Sequence, residues 1–215
     1  MRKCINNNEY FMYSELPVIE QSLYYQRIYK FLQHLVWEYP HFKRWYESLF
    51  LQDGSIKNTR EIIISGRNGI ICGVAILKRT RDEQKICTLR VAPQYQRHGI
   101  GKNLMELSFE WLSNDKPLVT LHKSRLHNFS SLFDYYGFKL EQETYNYYNI
   151  FSTELSYNGI LPEKETTLNE IEFLDVQHIY ERFIKNGITD FNCIVEACLS
   201  LWYGREQLRC YKMSM

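Results

Sequence analysis

One stretch of the chain decides its fold, namely Val91-Ala92-Pro93-Gln94-Tyr95-Gln96-Arg97-His98-Gly99-Ile100-Gly101. The run before it, from Ile86 to Val91, alternates in character and predicts a strand that stops at Pro93. Helical spacing follows it, with apolar side chains at Leu104, Leu107, Trp111 and Leu112. The stretch is therefore a loop that joins the end of a strand to a helix beginning near Gly101.

A loop in this position favours the binding of an anion. The first turn of a helix carries unpaired backbone N–H groups and a partial positive charge, and both favour a phosphate or pyrophosphate group. Gly99 and Gly101 place no side chain between the backbone and such an anion, and Arg97 adds a permanent positive charge. Taken alone, a Gly-x-Gly after a strand is also typical of an ordinary tight turn.

The residues Gln96 to Gly101 resemble the Gln/Arg-x-x-Gly-x-Gly/Ala signature of GNAT acetyltransferases, and Val91-x-Pro93 precedes them at the family's spacing. The resemblance covers residues 60 to 150, and the segment Phe133 to Phe138 is similar to the family's helix that ends in Gly-Phe. It implies an α/β (α+β) fold, with a mixed, mostly antiparallel central sheet flanked by helices.

Periodicity elsewhere fits this fold. Apolar spacing predicts helices over 17–39 and 42–50, separated by Pro40. The β-branched runs 61–65 and 70–77 predict a hairpin that turns at residues 66–69, and the run 86–91 predicts a third antiparallel strand. Further along the chain, the predicted elements are a strand over 118–121, a helix over 127–136 that stops at Gly137, and one or two strands within 138–151.

The last part of the chain has a different pattern. Two helices are predicted over 170–185 and 190–203, separated by Asn186-Gly187. We therefore expect a GNAT domain over 1–157, with its acetyl-CoA-binding core at about 60–150, and a helical C-terminal extension over 158–215. Homodimer formation through these helices is a hypothesis.

The resemblance also implies where acetyl-CoA binds. Backbone groups of Leu89 and Val91 would bind the pantetheine arm along a strand that splays from the next, and the amides that follow would bind the pyrophosphate. The implied cofactor-binding residues are Leu89, Val91, Gln96, Arg97, His98, Gly99, Ile100, Gly101, Lys102 and Asn128. An amide near Val91 would also stabilise the oxyanion that forms when an amine attacks the thioester. Asn128 has a second interpretation, as the cap of its helix.

The proton donor is the point at which the chain departs from the family. The usual tyrosine stands four residues before the Gly of Gly-Phe, where this sequence has Phe133, which has no proton to give. Tyr136 lies one helical turn further on the same face, whereas Tyr135 points roughly opposite, so Tyr136 is the predicted acid. Alternatively, both tyrosines pack in the core and water protonates the thiolate. The candidate bases, Asp82, Glu83, Glu141 and Glu143, are also typical of solvated surface carboxylates.

Composition excludes several classes of function. Lys plus Arg (26) nearly balances Asp plus Glu (25), so the formal net charge of +1 favours neither nucleic acid nor an anionic membrane as a partner. The six cysteines form no CxxC pair, and His122 and His127 have no partner at metal spacing, so free thiols and no metal are expected. No apolar run spans a bilayer and the N-terminus lacks a signal peptide, so a cytoplasmic location is expected.

The predicted activity is transfer of an acetyl group from acetyl-CoA to a primary amine of a small molecule or protein, by direct attack. Phe133 supports an alternative, an acetyl-CoA-binding sensor or interaction module with little or no turnover. A toxin that acetylates aminoacyl-tRNA is a third hypothesis, which the near-zero net charge disfavours. The sequence does not identify the amine.

Overall fold

The computed structural model describes residues 2–39, 41–145, 147–148, 152–162 and 185. The chain divides into two compact units, Met1–Glu163 and Lys164–Met215. Apart from Lys185, the second unit lies outside the described residues, and so do the helices predicted over 170–185 and 190–203. The limits of the extension therefore stay a prediction.

Eight strands of the first unit form one sheet. They are β1 (Lys3–Ile5), β2 (Asn8–Met12), β3 (Arg60–Arg67), β4 (Ile70–Arg79), β5 (Gln84–Val91), β6 (Leu118–His122), β7 (Leu140–Tyr145) and β8 (Thr153–Tyr157). Their order is β1-β2-β3-β4-β5-β6-β8-β7, and the pair β5–β6 is parallel while the other described pairs are antiparallel. This arrangement confirms the predicted mixed, mostly antiparallel sheet.

Helices cover both faces of the sheet. They are α1 (Val18–Leu32), α2 (Phe42–Glu47), α3 (Ile100–Leu112) and α4 (Leu126–Tyr136). Because strand side chains alternate between faces, Ile63 and Leu77 pack in a core with Leu104 of α3 and Phe133 of α4. Their neighbours along the same strands pack on the opposite face in a second core, with members of α1 and α2 such as Ile28, Leu32, Phe42 and Tyr46.

Gly73 on β4 determines how closely α3 approaches the sheet. A Cβ at this position would lie 2.9 Å from Leu104 Cδ1 and 3.1 Å from Ile100 Cγ2, both on α3, and 3.1 Å from the Arg90 carbonyl of β5. Glycine therefore permits a contact that any side chain would disturb. The start of α3 is held beside the last residues of β5 as a result.

Two predicted elements need correction, and one hairpin was not predicted. The helix predicted over 17–39 ends at Leu32, and the chain continues as a 3-10 turn over Gln33–Trp37. The second strand expected within 138–151 begins later, at Thr153. The hairpin β1–β2 was not predicted at all, although its turn residues Asn6 and Asn7 have φ of 49° and 62°, the backbone typical of a two-residue hairpin turn.

No helix among the described residues is long and apolar enough to span a membrane.

Candidate functional site

Strands β5 and β6 separate soon after they meet. They pair only at Lys85–Leu118 and Ile86–Val119, although β5 continues to Val91 and β6 to His122. A bulge in β5 accompanies the separation, since Ile76 of β4 pairs with Thr88 while the next residue, Leu77, pairs with Ile86. Bulges bend a strand and end its pairing. The second half of β5 therefore borders an open gap in the sheet.

Backbone groups of Leu89 and Val91 face this gap. The amide of Ala92 donates to the Cys72 carbonyl of β4 at 2.8 Å, and in an antiparallel pair alternate residues bond to the same neighbour. Arg90, which pairs with Val74, therefore directs its N–H and C=O toward β4, and its two neighbours direct theirs away. The side chain of Gln96 donates to the Val91 carbonyl at 3.2 Å, so it connects the loop to the end of the strand.

The predicted anion-binding loop has an open backbone. Arg97 and Gly99 have φ of 62° and 78°, and α3 begins at Ile100. Asn103 donates to the Gly99 carbonyl at 3.0 Å as the helix starts, so the amides of residues 100–102 precede the intrahelical hydrogen bonds. A Cβ at Gly99 would have no atom of the described residues within 4 Å, so the space beside this residue is open to a ligand. Glycine is favoured there by its positive φ and not by a lack of space.

Charged groups surround this loop. Arg97 and Lys102 are exposed, and the Lys102 ammonium donates to the Tyr135 hydroxyl at 3.0 Å and lies 4.5 Å from the centroid of its ring. The ring of His98 donates from Nδ1 to the Gln96 carbonyl at 2.7 Å, which ties the two ends of the turn. The loop thus combines free amides with two nearby cations.

The aromatic residues of α4 differ from one another in their surroundings. Phe133, at the family's tyrosine position, is buried and stacks on Phe138 with ring centroids 5.2 Å apart. Tyr136 is half-buried, and its hydroxyl donates to Glu106 Oε1 of α3 at 3.1 Å. Burial and the nearby Glu106 carboxylate raise the pKa of Tyr136. Its role as the acid stays a prediction, with its proton engaged by a carboxylate.

Asn128 does not cap α4, so that interpretation was wrong. The helix begins at Leu126 after Arg125, and Asn128 is its third residue, with an exposed side chain. The preceding 3-10 turn supplies the entry, because the His122 ring accepts from the Ser124 amide at 3.2 Å. Contact between Asn128 and the cofactor stays a prediction.

The bases considered from sequence are surface residues. Glu143 is paired with Lys123 at 2.9 Å and Glu83 with Lys78, while Asp82 and Glu141 are exposed. Within the described ranges no three His, Cys, Asp or Glu side chains are grouped to hold a metal ion. Cys4, Cys72 and Cys87 are free thiols.

Sequence reasoning missed a polar layer on the face of the sheet opposite α3. Arg125, which follows β6, binds Glu38 through Nε at 2.7 Å and through a second guanidinium nitrogen. Burial is the main cause that lowers the pKa of His34, and Arg90 of β5 and Arg125 lower it further. Glu38 also lies near Arg90, so His34 and Glu38 are close to the part of β5 that borders the gap, on this face.

Glu154 of β8 belongs to the same layer. Its carboxylate is buried and accepts from the Tyr39 hydroxyl at 3.3 Å. Tyr39 packs edge-on against Tyr148, with centroids 5.1 Å apart. Because Glu154 alternates with apolar residues along its strand, the sequence pattern predicts a solvent-facing side chain and gives no signal for this site.

A family profile described as acetyltransferase (GNAT) domain matches residues 41–154, which is more than half of the chain. The chain belongs to the GNAT acetyltransferase family. A search among curated proteins finds no match.

Several solved structures are similar to the chain at low identity. An acetyltransferase from Elizabethkingia anophelis with acetyl-CoA bound is 16% identical, with a TM-score of 0.49 and coverage of 71% of this chain and 97% of that one. The ribosomal-protein-S18-alanine N-acetyltransferase from Escherichia coli is 18% identical, with a TM-score of 0.48 and coverage of 72% and 97%. A putative streptothricin acetyltransferase from Bacillus anthracis, in complex with acetyl coenzyme A, is 17% identical with a TM-score of 0.42. This chain spans 63% of the length of that protein, and the match covers 47% of this chain.

Proposed function

We propose that the protein transfers the acetyl group of acetyl-CoA to a primary amine. One observation carries this proposal: two sets of backbone groups that could bind a ligand lie next to each other. The first set is the gap-facing edge of β5 at Leu89 and Val91, and the second is the amide cluster at the start of α3. Amides of residues 97–102 bind the pyrophosphate, with Arg97 beside it. The pantetheine arm then pairs with the edge of β5, as an added strand would.

In this arrangement the thioester lies in the β5–β6 gap near Val91. The Val91 amide donates to the carbonyl oxygen, which becomes an oxyanion when the amine attacks. The tetrahedral intermediate collapses, the C–S bond breaks, and the departing thiolate takes a proton from Tyr136 or from water. The hydrogen bond from the Gln96 side chain to the Val91 carbonyl holds the loop beside the end of β5.

A second candidate is a sensor that binds acetyl-CoA with little turnover. Phe133 favours it, because the position of the family's proton donor holds a buried ring without a hydroxyl group. The transferase stays the better proposal because water can protonate a departing thiolate, so the lack of a hydroxyl group at position 133 does not prevent turnover.

Calorimetry and thiol release together test both candidates. We expect acetyl-CoA to bind the full chain, and thiol release to depend on an added amine in a panel of small amines and N-terminal peptides. The variant Gly99→Glu should abolish acetyl-CoA binding, because it places a carboxylate where the diphosphate would bind and a non-glycine residue at a positive φ.

Gly54→Glu is the matched control, since Gly54 also has a positive φ (84°) and open space around it but lies before β3. Binding without amine-dependent release would favour the sensor. Absence of acetyl-CoA binding to the folded wild-type chain would exclude both candidates.

A further inference from the structure

Glu154 is a buried carboxylate with incomplete hydrogen bonding. Its side chain is 1% exposed, Oε1 accepts from Tyr39, and Oε2 has no hydrogen-bond donor in bonding geometry within the described part of the chain. Two neighbouring hydroxyls, those of Thr144 on β7 and Ser156 on β8, are likewise buried without a partner there. A polar layer left in this state is costly for folding, so a use outside folding is the natural explanation.

The surroundings of Glu154 favour a proton near neutral pH. Burial raises its pKa from 4.5 to about 7, the nearby Glu38 adds to this, and the Tyr39 bond, the Lys85 ammonium and the Thr120 hydroxyl act in the opposite direction. The polar groups that face it from the neighbouring elements are Glu38, Tyr39, Lys85, Thr120, His122, Thr144 and Tyr148. A carboxylate with these neighbours can change its protonation state during a reaction at physiological pH.

Another buried carboxylate, that of Glu61, shows what a structural role requires. Glu61 is 2% exposed, and its oxygens accept from the Ile62 amide at 2.8 Å, the Ser14 amide at 3.2 Å and the Ser14 hydroxyl. The two bonds from Ser14 hold β3 to the 3-10 turn after β2, and the bond from Ile62 satisfies a backbone amide of β3 itself. Glu154 accepts from the Tyr39 hydroxyl at 3.3 Å and lies close to the Thr120 hydroxyl. Both are side-chain groups, in contrast to the backbone amides that Glu61 binds.

Tyr39 connects this carboxylate to the β5–β6 gap. It follows Glu38, whose partner Arg125 is the last residue of the 3-10 turn after β6, and it binds Glu154, whose neighbour Leu155 packs in the core under α3. Because strand side chains alternate, Tyr39 lies on the face opposite α3, near the end of β6 that borders the gap. In the proposed function the cofactor enters from the α3 side and its thioester occupies the gap. The amine must then approach from the face on which Tyr39 lies.

We propose that Glu154, acting through the Tyr39 hydroxyl, accepts the proton that the amine loses during acetyl transfer. The amine nitrogen uses its electron pair to form the C–N bond and gives a proton to the Tyr39 oxygen. Tyr39 passes its own proton to Glu154 Oε1, so Tyr39 ends unchanged and Glu154 ends as a neutral acid. Tyr39 contacts the substrate, and Glu154 acts through it. The inference rests on the proposed acetyltransferase activity.

Rate measurements as a function of pH test this assignment in the full chain. Single-turnover acetyl transfer from acetyl-CoA to an amine found active in the panel should increase with pH through about 7 in the wild type. The variant Glu154→Gln should lower the rate about 100-fold and remove this dependence, leaving only the titration of the amine itself. Tyr39→Phe should lower the rate by a similar factor while keeping acetyl-CoA affinity. Glu47→Gln, which changes an exposed carboxylate at the end of α2, should behave as the wild type.

Infrared spectroscopy supplies a readout that does not depend on turnover. The difference between wild type and Glu154→Gln should contain a protonated-carboxyl band that disappears between pH 6 and pH 8, that is, around a pKa of about 7. If Glu154→Gln keeps the wild-type rate and pH dependence, or the band is absent, the assignment is overturned while the acetyltransferase activity stands. Failure of the wild type to acetylate any amine would instead overturn the proposed function, and this inference with it.

Discussion

The face of the sheet opposite α3 has two halves of opposite character. Under α1 and α2, the strands β3 and β4 present apolar side chains such as Ile62, Ile64, Val74 and Ile76. From β5 to β8 the same face presents Lys85, Arg90, Thr120, Glu154 and Ser156. The first half stabilises the fold by burying apolar area, and the second half buries polar groups that contribute little to it. We expect the polar half, and not the apolar half, to hold the residues that take part in the proposed reaction.

The largest expected effect lies in the apolar half. Ile62→Ala removes a fully buried side chain and should lower the free energy of unfolding by about 2–5 kcal/mol, because a cavity remains in a close-packed core. Thr120→Ala, in the polar half, should cost less than about 1 kcal/mol. Urea denaturation of both variants measures the difference, and equal losses would contradict the division of the face into two halves.

Glu154→Gln should stabilise the protein, and only at high pH. Because burial raises the pKa of Glu154 from 4.5 to about 7, the folded state holds the proton more tightly than the unfolded state, so the wild type loses stability as pH rises between these values. The neutral amide removes this penalty. At about 1.4 kcal/mol for each pH unit, the gain should be on the order of 3 kcal/mol at pH 8 and below about 1 kcal/mol at pH 5. Thermal unfolding at the two pH values measures it, and a gain that does not depend on pH would exclude titration of Glu154 as its cause.

Glu61→Ala should have the opposite sign. The amides of Ser14 and Ile62 lose their acceptor, and each buried group left without a partner costs about 1–3 kcal/mol. Glu61→Gln should recover most of this loss, because its side chain keeps one acceptor oxygen. Denaturation at a fixed pH of 5 compares the two variants, and a neutral Glu61→Ala would remove the contrast with Glu154.

The smallest effect on stability is expected at Tyr136. The change Tyr136→Phe removes one half-exposed hydrogen bond to Glu106 and should cost about 0.5–1.5 kcal/mol. If Tyr136 is the acid that protonates the thiolate, kcat should nevertheless decrease by about 100-fold with acetyl-CoA affinity unchanged. Full turnover in this variant with an active amine would remove Tyr136 from the mechanism and leave water as the proton source.

Local signals were sufficient for the part of the fold that surrounds the loop. Strand β5, the turn at Pro93 and helix α3 are consecutive in sequence, so alternation, a proline and helical spacing predicted them without tertiary information. The β1–β2 hairpin has a local signal in Asn6-Asn7 that is weaker than Asn-Gly. The early end of α1 was harder to predict, since Leu35 keeps the apolar spacing of the helix while it packs from a 3-10 turn.

The polar layer could not be predicted in this way. Glu154 and Tyr39 are separated by 115 positions, and Glu38 and Arg125 by 87. Each residue alone has the pattern of a surface position, and only the pairing of β6 with β8 and the path of the segment before α2 bring them together. For the same reason, the sequence predicted the exposed carboxylates Glu141 and Glu143 as candidate bases and did not predict Glu154 on the adjacent strand.

Gly73 sets the distance between α3 and the sheet. The two ends of the extended cofactor would contact different elements, its diphosphate α3 and its acyl end β5. Because Gly73 has no Cβ, α3 can pack close to the sheet, and this sets the distance between the two contacts. Enlarging residue 73 would shift one anchor relative to the other, so both could still hold their own fragment while the thioester missed the gap. In the proposed function, tight binding of acetyl-CoA and correct placement of its thioester would therefore be separable, and the absence of a side chain at residue 73 would preserve both.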